Sequence, residues 1–488
     1  MTAPSRPAGP PGDIPSDELR AALHRAADLA ADYLEGVGDY PVLPRIVPGE
    51  VAAALPAAPP EEPEPLDRIL DDYKALIQPN STHWNHPGFL AYFAITGSGP
   101  GIVGETLAAA LNVNAMLWRT GPAATELEEV CCDWLRQMMG LPEEFRGHIN
   151  DTASISTLVA LAAARHRLPL EIRARGLAGR PEVPALTVYA SDQAHSSVDK
   201  AALALGLGLD NVRRIPTDAA FRLDVGELAS AISADRAAGR LPMAVVATVG
   251  TTSTTSVDPV PAIAEICARE GIWLHVDAAY AGSAAICPEL RDLMPGLGLG
   301  DSLVVNPHKW LFTPVDCSVL FMRDPAQLRE AFSLVPEYLK TGESGVTNLM
   351  DYGVQLGRRF RALKLWMVIR AFGAEGLRER IREHCRLAAW LAGEVAADPA
   401  FELAAPVPFS TVCLRAVPPE GVDPDRFNER LMAAVNARGP FLLSHTVLGG
   451  RYTLRVAIGN LRTTREHIAA LWGLLRECAA DLCREGLA

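Results

Sequence analysis

Between residues 105 and 375 the apolar positions switch repeatedly between two patterns. Short unbroken runs give way to stretches spaced every three or four residues, and then return. Six runs read as strands: Leu186–Ala190, Val212–Ile215, Met243–Val249, Ile272–Val276, Ser302–Val305 and Ser318–Met322. Most are continuously apolar rather than alternating, as strands covered on both faces are. Helical segments such as Pro259–Glu270 fall between several of them. This pattern predicts an α/β large domain with a mostly parallel sheet. In such sheets ligands gather at the carboxyl ends of the strands.

The flanks have a different grain. Residues 1–15 are rich in Pro and Gly. Ser16 is positioned to cap a helix with Asp17 and Glu18 in its first turn, and Leu19, Leu23, Ala26, Ala30 and Leu34 form its apolar stripe. Pro41–Pro65 is a Pro-rich extended connector, a type of arm that wraps a second subunit. Beyond 375 a long helix, Glu375–Asp398, precedes strands near Thr411–Arg415, Phe441–Leu443 and Tyr452–Val456. A last helix opens on Thr463-x-x-Glu466, the pattern of a capping box. The expected division is an N-terminal helical and extended dimerisation segment (1–98), a large domain (99–374) and a small α+β domain (375–488).

Composition narrows the partners. A net charge of −13 without a basic stripe argues against nucleic acid and anionic membrane. The N-terminus lacks the apolar core of a signal peptide, and no apolar run reaches the length of a membrane span. Nine scattered cysteines show no CxxC pair and no metal-ligand spacing, so free thiols in a reducing cytoplasm and no metal are expected.

The chemistry centres on Ser302–Trp310, where a buried-strand run ends at Asn306-Pro307 and leads to His308, Lys309 and Trp310. A lysine beside an apolar site loses its proton readily, and the neutral amine attacks carbonyls to form a Schiff base. Taken alone, a loop lysine is a surface charge. The strand Trp273–Val276, however, ends in Asp277, 32 positions upstream. Enzymes using pyridoxal phosphate (PLP) need that pair, a lysine for the aldehyde and an acid for the ring nitrogen. Thr152, Ala153 and Ser154 precede the helical run Thr157–Arg165 and read as a phosphate site at a helix N-terminus. His195 and Thr252 follow strands, where an imidazole can stack on a cofactor ring and a hydroxyl can face it. Ala279 is small enough for a ring to lie against the backbone.

These residues lie within motifs that resemble group II PLP-dependent amino-acid decarboxylases of the aromatic-L-amino-acid decarboxylase family. The motifs, in order, are Thr-His-Trp-Asn-His-Pro (82–87), Pro-Ala-Ala-Thr-Glu-Leu-Glu (122–128), Ser-Asp-Gln-Ala-His-Ser-Ser (191–197), His-Val-Asp-Ala-Ala-Tyr-Ala-Gly-Ser-Ala (275–284), Asn-Pro-His-Lys-Trp (306–310) and Leu-Gly-Arg-Arg-Phe-Arg-Ala-Leu-Lys (356–364). The resemblance implies the aminotransferase-like fold (fold type I) and a homodimer with its sites at the subunit interface. It gives Lys309 the aldehyde, Asp277 the pyridinium nitrogen and His195 the ring face. Thr152, Ala153, Ser154, Asn306 and His308 surround the phosphate, and Thr252 lies near the ring. A mobile loop at about Ser333–Thr347 carries Tyr338, which protonates the substrate α-carbon.

The substrate side follows the family less closely. Tyr92, Thr96, Asn114, Met116 and Trp118 are the candidate substrate-side residues. Asn114 and Met116 stand in a segment that is more aromatic in relatives, and they make the pocket more polar and more pliable. Tyr92, Phe93 and Trp118 favour an aromatic amino acid. Decarboxylation of a non-aromatic amino acid, aldehyde synthesis and a non-catalytic scaffold are the alternatives.

Overall fold

The computed structural model describes residues 12–334, 343 and 345–484. Tyr338 and most of the expected loop around it lie outside the described residues.

The apolar runs assemble into one seven-stranded sheet. Its strands are β1 (Arg146–Asn150), β2 (Leu186–Ser191), β3 (Val212–Ile215), β4 (Leu241–Thr248), β5 (Trp273–Asp277), β6 (Ser302–Val305) and β7 (Ser318–Met322). The order across the sheet is β1-β7-β6-β5-β4-β2-β3. The four pairings from β6 to β3 are parallel, whereas β7 runs antiparallel to both β6 and β1. Alternate residues feed two apolar layers. Val245, Ala247, Leu274 and Val276 pack on one face, and Ala244, Val246, Trp273 and Val304 on the other. Double-sided burial explains the unbroken apolar runs. The register sets Thr248 opposite Asp277 and Asp277 opposite Val304, so three strands end side by side.

Strand β1 was not anticipated. Arg-Gly-His-Ile-Asn has one strongly apolar residue and is held by its pairing with β7. A Cβ on Gly147 would lie 2.8 Å from both Cys132 and Phe321, so only glycine fits this close approach.

The second sheet has the order β10-β11-β9-β8, from β8 (Phe401–Leu403), β9 (Thr411–Ala416), β10 (Ser444–Leu448) and β11 (Arg451–Ala457). Here the expected strand at Phe441–Leu443 is displaced. Leu442 instead makes a lone bridge to Phe89, and the strand begins at Ser444. The long helix spans Ala362–Ala397 and breaks at Gly373, whose φ of 64° and ψ of 166° interrupt the helical path.

Two expected caps are not formed. Ser16 is the first helical residue of Ser16–Gly36 rather than its cap, with Pro15 before it. Thr463 donates its hydroxyl to Pro87 O at 2.7 Å, while the helix Arg465–Arg484 starts behind Thr464. A tertiary acceptor has taken the hydroxyl that the local motif would use. Among the described residues no helix is long and apolar enough to cross a membrane.

Candidate active site

Asp277 is the last residue of β5, and Lys309 lies in the short helical turn Pro307–Trp310 that comes after β6. Backbone hydrogen bonds stitch the two strand ends together. Ala278 N–H donates to Val304 O at 3.1 Å, Asn306 N–H to Ala279 O at 3.0 Å, and Lys309 N–H to Asn306 O at 2.9 Å. Neighbouring parallel strands therefore remove the sequence separation between acid and lysine. Asp277 is buried, and one of its oxygens accepts Ala279 N–H at 3.1 Å. Burial lowers the pKa of Lys309; the Asp277 carboxylate opposes that shift and the Arg455 guanidinium reinforces it.

His195 sits in the turn between β2 and the helix Ser197–Ala204. Its Nδ1 accepts Ser197 N–H at 3.1 Å, which leaves the proton of the neutral ring on Nε2. Desolvation lowers the pKa of this surface-accessible ring, the charge on Asp277 raises it and that on Lys309 lowers it. The three side chains thus share one electrostatic environment.

His308 is buried and its pKa is pushed down to about 3, by burial first and by Lys309 second. Its Nδ1 accepts Cys317 N–H at 2.9 Å, so Nε2–H is a donor. Thr152 precedes the helix Ala153–His166 in extended conformation, and its hydroxyl turns to Asp151 instead of capping the helix. The first-turn N–H groups at Ala153, Ser154 and Ile155 have no intrahelical acceptor and favour an anion. Thr252 is exposed in the turn after β4, beside the buried hydroxyl chain of Thr251, Thr254 and Ser256. Ala279 is buried next to Asp277.

This donor set fits pyridoxal phosphate. A lysine with a lowered pKa flanks a buried carboxylate, and the N–H groups of a helix N-terminus face no acceptor among the described residues. The buried Asn306 Oδ1, Thr248 Oγ1 and Ser191 Oγ have no hydrogen-bond partner among the described residues. Unpaired buried polar atoms are costly, and atoms that a ligand satisfies account for them.

Substrate-side candidates divide into two groups. Tyr92 is exposed and stacks on Trp84 with ring centroids 5.9 Å apart, and Thr96 is buried with a hydroxyl that has no partner among the described residues. The adjoining Phe93 lies 5.5 Å from Lys309 Nζ. Asn114, Met116 and Trp118 bond instead to the 348–358 segment. Asn114 Oδ1 accepts Arg358 N–H at 2.9 Å, Met116 O accepts Met350 N–H at 3.0 Å, and Trp118 N–H donates to Asn348 at 3.2 Å. Among the described residues no hydrogen bond or ring contact joins these three to Lys309 within one chain.

Sequence reasoning missed Arg455. It comes from β11 in the second sheet, is 4% exposed, and donates to Ala91 O at 2.7 Å and Ser253 O at 3.2 Å. Its guanidinium stands 4.6 Å from the Phe93 ring centre, and its buried Nη2 has no hydrogen-bond partner among the described residues. The available signal was an arginine between the apolar residues Leu454 and Val456 of a strand.

Comparison with known proteins agrees with this geometry. The family described as the pyridoxal-dependent decarboxylase conserved domain matches residues 48–417. The chain is 41% identical to phenylacetaldehyde synthase of Arabidopsis thaliana over 480 residues, covering 96% of this chain and 97% of that protein. It is 42% identical to tyrosine decarboxylase 2 of Arabidopsis thaliana over 487 residues, covering 96% and 88%. The crystal structure of Oryza sativa TDC with PLP and tryptamine superimposes with a TM-score of 0.92 at 40% identity, covering 97% and 99%. With a lysine and an acid brought together at adjoining strand ends, and with these matches along its length, the chain belongs to the pyridoxal-dependent decarboxylase family.

Proposed function

We propose that the protein decarboxylates an aromatic L-amino acid to its amine and CO2. The observation that carries this reading is the junction of Lys309 and Asp277 at the ends of β6 and β5, with Phe93 5.5 Å from the lysine amine. Lys309 would hold the cofactor's aldehyde carbon and Asp277 its ring nitrogen. Ala153, Ser154, Asn306 and His308 would hold its phosphate, with Thr152 and Thr252 at its borders. When bound, pyridoxal phosphate supplies the electron sink that receives the electron pair left by departing CO2.

The chain's own residues do the remaining work. Asp277 keeps a proton on the ring nitrogen through a charge-assisted hydrogen bond. Burial keeps a fraction of Lys309 neutral and nucleophilic. His195 covers one face of the ring and offers Nε2–H to a carboxylate. Tyr92 and Phe93 provide flat apolar surface for an aromatic side chain. Tyr338 delivers the proton to the α-carbon.

The working unit is a homodimer in which Asn114, Met116 and Trp118 of one subunit border the site of the other. Among the described residues they bond to Arg358, Met350 and Asn348 and make no hydrogen bond or ring contact with Lys309, which supports this reading. So do the apolar residues left outside: Val103, Leu107 and Leu111 repeat every four positions along the helix Gly99–Leu111 and are 53%, 46% and 61% exposed. Segment 1–98 joins the dimer contact, with 99–374 as the cofactor domain and 375–488 as the small domain. Nine unpaired cysteines support a reducing, cytoplasmic setting.

Incubating the PLP-loaded protein with tryptophan, tyrosine, phenylalanine, dopa, histidine and glutamate tests the proposal. Amine and CO2 from an aromatic substrate are expected; exclusive turnover of histidine or glutamate overturns it. Aldehyde with peroxide in place of amine marks the second reading, which the likeness to a phenylacetaldehyde synthase favours.

A further inference from the structure

Trp310 follows Lys309 directly, and its indole is completely buried. Its Nε1–H donates to His384 Nδ1 at 2.9 Å. An indole can only donate, so the neutral imidazole carries its own proton on Nε2. That nitrogen donates to Asn460 O at 3.1 Å. Burial lowers the pKa of His384 to about 4, so the ring stays neutral near neutral pH. Both of its nitrogens are therefore committed, one to each neighbour.

The two neighbours reach Phe93 by separate routes. Trp310 stacks on Tyr280 at 4.5 Å and 5°, and Tyr280 stacks on Phe93 at 3.7 Å and 8°. Asn460 donates its amide hydrogens to Trp84 O at 3.1 Å and His86 O at 2.9 Å. That backbone continues through Leu90 and Ala91, which are bonded to Ala457 and Arg455, to Phe93. The path from Lys309 through Trp310, His384, Asn460 and residues 84–93 closes at Phe93, 5.5 Å from the lysine amine.

We infer that His384 is a positioning residue that sets the lysine against the aromatic wall of its site, through Trp310 on one side and Asn460 on the other. The inference rests on the reading of Lys309 as the reacting amine and Phe93 as substrate wall. A buried indole N–H is satisfied by any acceptor. The particular consequence of using His384 is that the lysine's neighbour and the wall's anchor share one rigid ring. A displacement of the order of an ångström at such a joint is enough to slow a reaction by one to two decades.

Two substitutions separate the halves of the joint. His384→Asn keeps an acceptor near Nδ1 and loses the donor to Asn460, whereas His384→Gln keeps a donor near Nε2 and loses the acceptor for Trp310. For His384→Gln we expect capture of PLP at Lys309 by the apoprotein, read by borohydride reduction and mass of the labelled peptide, to slow about tenfold. Its kcat should fall similarly with little change in KM. For His384→Asn we expect near-normal PLP capture and kcat with a raised KM for the amino acid. Trp310→Phe, which keeps the stack without the N–H, should reproduce His384→Gln and replaces it if that variant does not fold. Equal losses of kcat and KM in both variants, losses that follow the thermal midpoint alone, or no change in either overturn the inference. If the wild type turns over no aromatic amino acid, the functional proposal fails separately, and PLP capture still decides the role of His384.

Discussion

Replacing Asp277 by asparagine removes one buried negative charge and little else. The Asp277 oxygen that accepts Ala279 N–H at 3.1 Å can be matched by the amide oxygen. The register of β5 with Thr248 and Val304 rests on backbone bonds that the substitution leaves alone. Because Asp277 raises the pKa of both Lys309 and His195, its loss lowers them further. Lys309 is then neutral over a wider pH range, so protonation of the lysine cannot explain a defect. What is lost is the charge-assisted hydrogen bond to the protonated ring nitrogen, worth about 1.5–3 kcal/mol. That corresponds to roughly 10- to 150-fold weaker retention of PLP. The assay is PLP titration of the apoprotein by absorbance, alongside CO2 release and a thermal midpoint. An unchanged midpoint with weaker PLP binding and at least as large a loss of CO2 release is expected. A folded variant that binds PLP and releases CO2 within about twofold of wild type would refute the assignment of Asp277.

Three further outcomes are expected. Tyr338→Phe is expected to shift product from amine toward aldehyde and ammonia, with dissolved O2 taking up the electron pair to give peroxide; unchanged amine yield without O2 uptake or peroxide removes the proton-donor role. Glu128→Leu leaves the buried Arg358 guanidinium, 2.7 Å from Glu128 in the native fold, without its counter-charge and should cost about 3–5 kcal/mol in urea unfolding. Adding Arg358→Leu should recover part of that loss, and strictly additive losses would argue against a buried pair. His148, His275, His308 and His384 are buried with pKa values near 3, 4, 3 and 4, so on unfolding at pH 5 they take up protons that the native state refuses. Buried Asp258, raised to about 6, gives one proton back. Stability should be retained above about pH 6.5 and fall below it by about 1.4 kcal/mol per pH unit for each of roughly three net protons. A thermal midpoint that stays flat from pH 7 to 5 contradicts this balance.

Local patterns exposed much of this architecture. Val212–Ile215, Ser302–Val305 and Ser318–Met322 are strands over the ranges that the apolar runs predict. Lys309 and Asp277 stood out because each comes just after such a run, and adjoining parallel strands bring their ends together. The failures are equally local. Thr463 has the form of a cap, but Pro87 O, distant in sequence, takes its hydroxyl. Strand β1 carries little apolar signal because β7 supplies its hydrogen bonds and Cys132 and Phe321 crowd its glycine.

Sequence alone therefore determined the α/β class, the parallel run of strands and the lysine–acid pair. Those properties depend on side-chain periodicity and on the residue types at the end of each strand, both of which are read along the chain. Tertiary structure alone decided that Arg455 reaches the Phe93 ring, that His384 joins Trp310 to Asn460, and that Asn114 and Trp118 bond to Arg358 and Asn348. These contacts link residues far apart in sequence and leave no period behind. They exist because buried donors must find acceptors, and only packing determines which acceptors are within reach.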